Sequence, residues 1–217
     1  MNKIKQHFDK VAQTYDKGRV KYSYYNINLK KLLGSFIPNN KKVLEIGCGT
    51  GELLNYLQPR YGYGMDISTE MIKQAKSKYK FKKNLVFSKF WPSGKFDYIF
   101  MSDVVEHLKD PEKEFKKISK LMHKDTLFIN TMANPIWEPL LMLWEKLGLK
   151  MPEGPHHRFK IYDLRIMIKK TGMKIIKHDY KLLVPVYIPI ITNLLNRYLE
   201  KYFKKYAFIE YFVAKKR

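Results

Sequence analysis

Apolar positions along this chain fall into two rhythms. Short, mostly apolar runs at Val43–Ile46, Tyr61–Met65, Asn84–Phe87, Phe96–Met101 and Thr126–Thr131 read as buried strands. Between them the spacing turns helical. Leu53, Leu54 and Leu57 follow from Glu52, and Met71, Ile72 and Ala75 follow from an N-cap at Ser68, with Glu70 in the first turn, to about Lys78. Pro111, at a first helical position, predicts a helix through His123, and Tyr162–Lys170 predicts another. Upstream, Ile4, Phe8, Val11, Ala12 and Tyr15 predict one helix over residues 3–17 that Gly18 ends. A second runs over Ser23–Leu33, closed by Gly34 and Pro38. Alternation of strand and helix predicts an α/β fold, a doubly wound parallel sheet with helices on both faces. Ligands of such sheets sit at the carboxyl ends of the strands.

The first strand runs straight into Gly47-Cys48-Gly49-Thr50-Gly51 and then a helix. A glycine turn there lets a ligand approach backbone N–H groups. The spacing is E-x-G-x-G-x-G over Glu45–Gly51, whereas a dinucleotide fingerprint would place its third glycine where Glu52 stands. The next strand ends in Asp66, 19 residues after Gly47. An acid about 20 residues on is where such folds bind ribose hydroxyls. A third element follows the fourth strand: Phe96-Asp97-Tyr98-Ile99, then Glu106-His107 and Asp110-Pro111.

Together these motifs resemble the class I S-adenosylmethionine-dependent methyltransferases, in the group that contains the ubiquinone-biosynthesis O-methyltransferases. The N-terminal stretch Phe8-Asp9-Lys10-Val11-Ala12-Gln13-Thr14-Tyr15-Asp16 matches their recurring F-D-x-x-A-x-x-Y-D cap. The resemblance implies S-adenosyl-L-methionine as cofactor and S-adenosyl-L-homocysteine as product. It implies cofactor contacts from Tyr15, Arg19, Glu45, Gly47, Gly49, Gly51, Asp66, Ile67, Ser102, Asp103 and Val104. It also implies a Rossmann-like sheet of seven strands, the last two, about Lys174–Tyr180 and Phe208–Lys215, running antiparallel. The chain would be a single domain over 1–217, with a helical cap over 1–40 and substrate-side insertions over 135–160 and 182–206. One departure is plain: after the third strand stand Ser88, Lys89 and Phe90, where relatives often carry an acid near the adenine.

Methyl transfer from a sulfonium depends mostly on positioning, and an oxygen acceptor also needs a base. His107, beside Glu106 at a strand end, is the first candidate base, and His157 in Pro152–Phe159 is the second. Each also has a structural reading, in packing or helix capping. Asp103, Glu106 and His107 form a half-shell suited to a hard divalent cation, though no metal set is assigned. The insertions point to the acceptor. Trp137–Leu149 predicts a strongly apolar helix. In Leu182–Tyr206 an apolar, proline-containing strip precedes a basic amphipathic helix carrying Leu194, Leu195, Tyr198, Leu199, Tyr202 and Phe203 on one face. That pattern fits a helix covering the sheet, a dimer interface or an anionic membrane surface.

Charge widens the choice. Lys and Arg number 42 against 20 Asp and Glu, a net charge of +22, and 36 of the cations are lysines. Such an excess suits nucleic acid or anionic lipid, although no arginine-rich tract appears. An RNA (tRNA) methyltransferase and a non-catalytic cofactor-binding partner subunit therefore stay open beside a small or lipid-linked apolar acceptor. The single cysteine, Cys48, excludes a disulfide framework. The basic start, Met1–Lys5, lacks a following apolar segment, so no secretory leader is expected, and the location expected is cytoplasmic, with peripheral membrane contact open.

Overall fold

The structure is a computed structural model that describes residues 3–20, 23–148 and 154–217. In chain order the elements are α1 (Lys3–Val11), α2 (Tyr15–Val20), α3 (Ser23–Gly34), β1 (Lys42–Ile46), α4 (Glu52–Tyr56), β2 (Tyr61–Met65), α5 (Thr69–Lys78), β3 (Leu85–Ser88) and β4 (Phe96–Ser102). Then come α6 (Pro111–Lys120), β5 (Met122–Ala133), α7 (Glu138–Lys146), α8 (Ile161–Lys170), β6 (Met173–Lys181), α9 (Ile191–Leu194) and β7 (Ile209–Lys216). They build the seven-stranded Rossmann-like sheet expected, in the order β3-β2-β1-β4-β5-β7-β6. The strands from β3 to β5 are parallel, while β7 runs antiparallel to both β5 and β6.

The apolar runs of β1, β4 and β5 are buried on both faces, as central parallel strands require, while β2 and the edge strand β3 are partly exposed. Val43, Phe100 and Ile129 face the layer of α3, α4 and α5, packing on Leu33, Leu54 and Ile72. Leu44, Ile99 and Phe128 face the layer of α6 and α8, packing on Phe115, Ile118, Leu164 and Ile168. Ser68 caps α5 by accepting from the Met71 N–H at 3.1 Å, as the sequence predicts.

Four sequence expectations need correction. The helix over 3–17 is two helices broken at Ala12–Thr14, and Gly18 lies inside the second. The helix from Pro111 ends at Lys120, where Leu121 turns back on Ile118, and β5 begins at Met122 rather than Thr126. There, Thr126 Oγ1 accepts from the His123 N–H and donates to the Phe96 carbonyl, holding a strand irregularity together. The helix over Trp137–Leu149 is shorter, and Leu149 lies outside the described residues. In Leu182–Tyr206, α9 passes into one π turn, Leu195–Leu199, and stops, and the apolar residues assigned to a covering face are largely exposed.

Phe128 is fully buried, its ring 5.9 Å from that of Phe115 and 5.8 Å from that of Phe212. Phe128→Ala is expected to cost about 3–5 kcal/mol of stability, measured by urea unfolding. A loss below about 1 kcal/mol would show that the ring does not anchor this layer.

Candidate active site

At the end of β1, Gly47, Gly49 and Gly51 take φ values of 72°, 51° and 81°. A Cβ on Gly47 would collide with the methyls of Val104, and one on Gly51 would sit 2.5 Å from the Phe87 ring. Only glycine fits either place. The Gly47 and Cys48 N–H groups donate to the Met65 carbonyl at 2.7 and 2.9 Å, tying the turn to the end of β2. Asp66 completes the tie, accepting from the Gly49 N–H with one carboxylate oxygen and from the Ser68 N–H with the other, both at 2.8 Å. Burial pushes its pKa up, against those two hydrogen bonds. A carboxylate offers about four acceptor sites, so Asp66 keeps capacity for hydroxyl groups. Ile67 beside it is exposed. Glu45 is buried and accepts from the Leu54 N–H at 3.1 Å, so it holds the first turn of α4. Burial raises the Cys48 thiol well above its usual range, which excludes a thiolate there at neutral pH.

The N-terminal cap lies over this turn. The Tyr15 ring stands where a Cβ on Gly49 would meet it at 3.4 Å. Arg19 sits over the Tyr15 ring at 5.7 Å and donates to Asn26 Oδ1 at 2.7 Å. Asp9 and Asp16, the two carboxylates of the Phe8–Asp16 stretch, fasten the cap. Asp9 accepts from Ser68 Oγ at 2.7 Å and from the Glu70 N–H at 3.2 Å. Asp16 accepts from Thr50 Oγ1 at 2.6 Å and from Lys78 Nζ at 2.7 Å. Burial alone would raise both acids, but the hydrogen bonds outweigh it and hold both below the ordinary aspartate value.

The third part is the end of β4. Ser102 Oγ accepts from Thr131 Oγ1 at 2.9 Å. Asp103 takes φ 54°, a strained left-handed conformation for a residue with a side chain. Its N–H donates to the Thr131 carbonyl, and its carboxylate accepts from the Tyr25 hydroxyl at 2.7 Å. Burial and the Asp103 charge push Tyr25 well above 10, so the phenol stays protonated and donates. His107 Nδ1 lies 3.0 Å from the Pro155 carbonyl. A carbonyl only accepts, so Nδ1 carries the proton and the basic lone pair falls on Nε2. The ring is flanked edge-on by Phe8 at 5.4 Å and His156 at 6.3 Å.

The structure brings His156, rather than His157, into this cluster. His156 Nε2 lies 2.8 Å from Glu138, and Arg158 binds both Glu138 and the buried Glu106. His157 is exposed and donates its backbone N–H to the Glu106 carbonyl. Pro152 and Glu153 of that loop lie outside the described residues. The suggested half-shell is not assembled: Glu106 is drawn to Arg158 and Asp103 to Tyr25. Among the described residues no group of three His, Cys, Asp or Glu could hold a metal ion. Near this edge, the Trp137 and Tyr25 rings each meet Phe208 at 5.5 Å. Asn130 is fully buried on β5 with neither amide atom hydrogen-bonded among the described residues.

The Asp9 and Asp16 contacts give a pH prediction. Acids held low in the folded state stabilise it above the ordinary value near 3.9, and the contribution is lost as pH falls through the depressed value. Hydrogen exchange over residues 3–20 is expected to show protection at pH 6 that fades below about pH 4. Asp9→Asn with Asp16→Asn is expected to remove that protection at pH 6. Unchanged protection in the double variant would rule out this fastening.

Comparison with known proteins agrees with the geometry. A family model described as a methyltransferase domain matches residues 19–178. An uncharacterized protein of Methanocaldococcus jannaschii is 34% identical over 134 residues, 60% of this chain and 52% of that protein. Malonyl-[acyl-carrier protein] O-methyltransferase 2 of Ilyobacter polytropus is 31% identical over 139 residues, 58% of this chain and 52% of that one. The chain thus spans about half the length of these curated relatives. A SAM-dependent methyltransferase from Thermotoga maritima shares the fold at a TM-score of 0.72 and 16% identity, over 99% of this chain and all of that one. With its glycine turn, Asp66 and β4 end in place, the chain belongs to the methyltransferase domain family.

Proposed function

We propose that this protein transfers a methyl group from S-adenosyl-L-methionine to oxygen on a small or lipid-linked apolar acceptor. The observation that carries the acceptor class is the pair of insertions, 135–160 and 182–206, whose described residues leave from the carboxyl edge of the sheet and present mainly apolar side chains there. The Glu106-His107…Asp110-Pro111 segment supports oxygen and the ubiquinone-biosynthesis group, while the relatives include malonyl-[acyl-carrier protein] O-methyltransferases and phosphoethanolamine N-methyltransferases alike. A basic composition supports peripheral contact with a membrane, and the single cysteine is compatible with the cytoplasmic location proposed.

When bound, the cofactor supplies an electrophilic methyl on a sulfonium. Gly47, Gly49 and Gly51 give it a bare backbone, and Asp66 with Ile67 takes the ribose end. Ser102, Asp103 and Val104 line the methionine end. Tyr15 and Arg19 close over it, and Glu45 shapes the turn. Tyr25 holds the Asp103 carboxylate in place. His107, with its Nδ1 proton committed to Pro155, takes the acceptor proton on Nε2. His157 serves at the acceptor-side rim.

One observation favours a second reading. Residues 71–96 carry eight lysines and no Asp or Glu, and Phe81 and Phe90 stand 86% and 66% exposed among them. Cations interleaved with open aromatic rings suit single-stranded nucleic acid.

Methyl-labelled cofactor with host extract separates the readings. Label is expected in the organic fraction, and label confined to RNA would replace the first reading by the second. His107→Ala is expected to lower kcat by roughly 10²–10⁴-fold while the KM for the cofactor stays unchanged. Full activity in that variant would end the base assignment.

A further inference from the structure

The segment between β6 and β7 is built inside out. Its polar side chains turn inward. Thr192 is fully buried, donating to the Val186 carbonyl and accepting from the Ile188 N–H, both at 2.8 Å. Asn196 clasps the Val184 backbone through both amide atoms and donates to the Tyr24 hydroxyl at 3.0 Å. Its apolar side chains turn outward. Ile190 is 81% exposed, and Tyr187, Ile188, Ile191, Leu194 and Tyr198 are each exposed. Ile190 also holds φ 65°, a conformation that a β-branched residue adopts only under strain. A water-facing knuckle would have the reverse arrangement and no reason to hold isoleucine there.

We infer that this knuckle is a docking face for an anionic lipid surface, seated with its apolar tip among the acyl chains. Charge selects lipid over the other apolar occupants. Arg197, Lys201 and Lys205 each lie against the next tyrosine ring, at 5.6, 4.8 and 5.0 Å from its centroid. Tyrosine rings with adjacent cations match the headgroup level of a membrane, apolar below and charged above. The acid of this stretch, Glu200, is occupied by Lys181 and the Leu182 N–H, so it does not offset those cations outward. A second copy would bring like charges together.

The face is continuous with the mouth of the site. Trp137 Nε1 donates to the Tyr206 carbonyl, and Asn134 Nδ2 donates to the carbonyls of Lys205 and Ala207, all at 2.9 Å. Those bonds join the knuckle to the root of α7, where Met142, Leu143 and Leu147 are exposed as well. The docking deepens the peripheral-contact reading above, and its consequence, that the acceptor side of the sheet lies on the bilayer, rests on the apolar-acceptor reading.

The test is sedimentation of the whole chain with phosphatidylcholine vesicles, with and without about one third phosphatidylglycerol. The wild type is expected to sediment with the anionic vesicles. Ile190→Asp with Leu194→Asp is expected to weaken that binding about tenfold or more, with the melting temperature retained. Ile190 sits at the centre of a γ-turn (φ 65°, ψ −55°) closed by the Ile191 N–H on the Pro189 carbonyl, so the retained melting temperature is the check that this variant folds. Arg197→Glu with Lys201→Glu, on exposed positions, is expected to weaken binding to anionic vesicles too, so the inference does not hang on one variant. No binding by the wild type, or binding by both variants equal to that of the wild type, overturns it. So does a concentration-dependent dimer, dissolved by the aspartate pair, without vesicle binding. If vesicle binding fails while methyl label still reaches the organic fraction from detergent-solubilised extract, docking falls and the acceptor reading stands. Binding without organic label upholds docking and removes the acceptor reading alone.

Discussion

Two backbone N–H groups, from Gly49 and Ser68, converge on the carboxylate of Asp66, and the rest of the site depends on that convergence. The parallel pairing of β1 and β2 sets Ile46 opposite Met65, so the two strands stop level with each other. The loops that follow then lie side by side, each with unpaired N–H groups. One buried acid satisfies a donor from each. Its own burial is unfavourable for a charge and pushes its pKa up, and the two hydrogen bonds offset part of that cost. Without this link the glycine turn and the start of α5 would have no shared reference, and the cap that spans them would have no fixed floor.

The same device recurs outward from Asp66. Asp9 binds the start of α5, Asp16 binds the glycine turn and Glu45 holds the start of α4. In a chain of net charge +22, these scarce acids gather inside the cleft with Asp103 and Glu106 while lysines occupy the surface. Within the cap, α1 and α2 are held mainly by these charge-assisted hydrogen bonds, since those two helices bury no residue fully, whereas α3 sinks Leu29, Leu32 and Leu33 into the core.

The sheet was legible because a parallel strand buried on both faces writes itself as an apolar run, and the glycine turn because no other residue fits its positive φ values. The cap residues were legible as a pattern, but not as a mechanism. Asp9 and Asp16 meet their partners Ser68 and Thr50 across 59 and 34 positions, a distance that local periodicity does not span. His156 and His157 are adjacent, and the choice between them is made by the backbone. Gly154, at φ 76° against the His7 ring, turns the loop so that His156 faces Glu138. In Leu182–Tyr206 the sequence displays a stripe, but a stripe says only that an apolar face exists. Thr192 and Asn196 claim the inward side, and the stripe is left outside.

Both insertions reach the same edge for a topological reason. β5 ends at Ala133, which pairs with Ile209, and Ile209 pairs in turn with Lys181 at the end of β6. Because β7 runs antiparallel, the chain leaves β6 at the carboxyl edge of the parallel strands, where the glycine turn and Asp103 already lie. Were β7 parallel, the segment would have to cross the sheet and could not stay beside the site. One reversed strand therefore lets two long connections grow at the same edge while β1, β2 and their loops remain untouched. Variation in 135–160 and 182–206 can change what the protein meets there without disturbing the Asp66 link. The division is spatial: the parallel half of the sheet carries the glycine turn and Asp66, and the antiparallel half carries the two long connections.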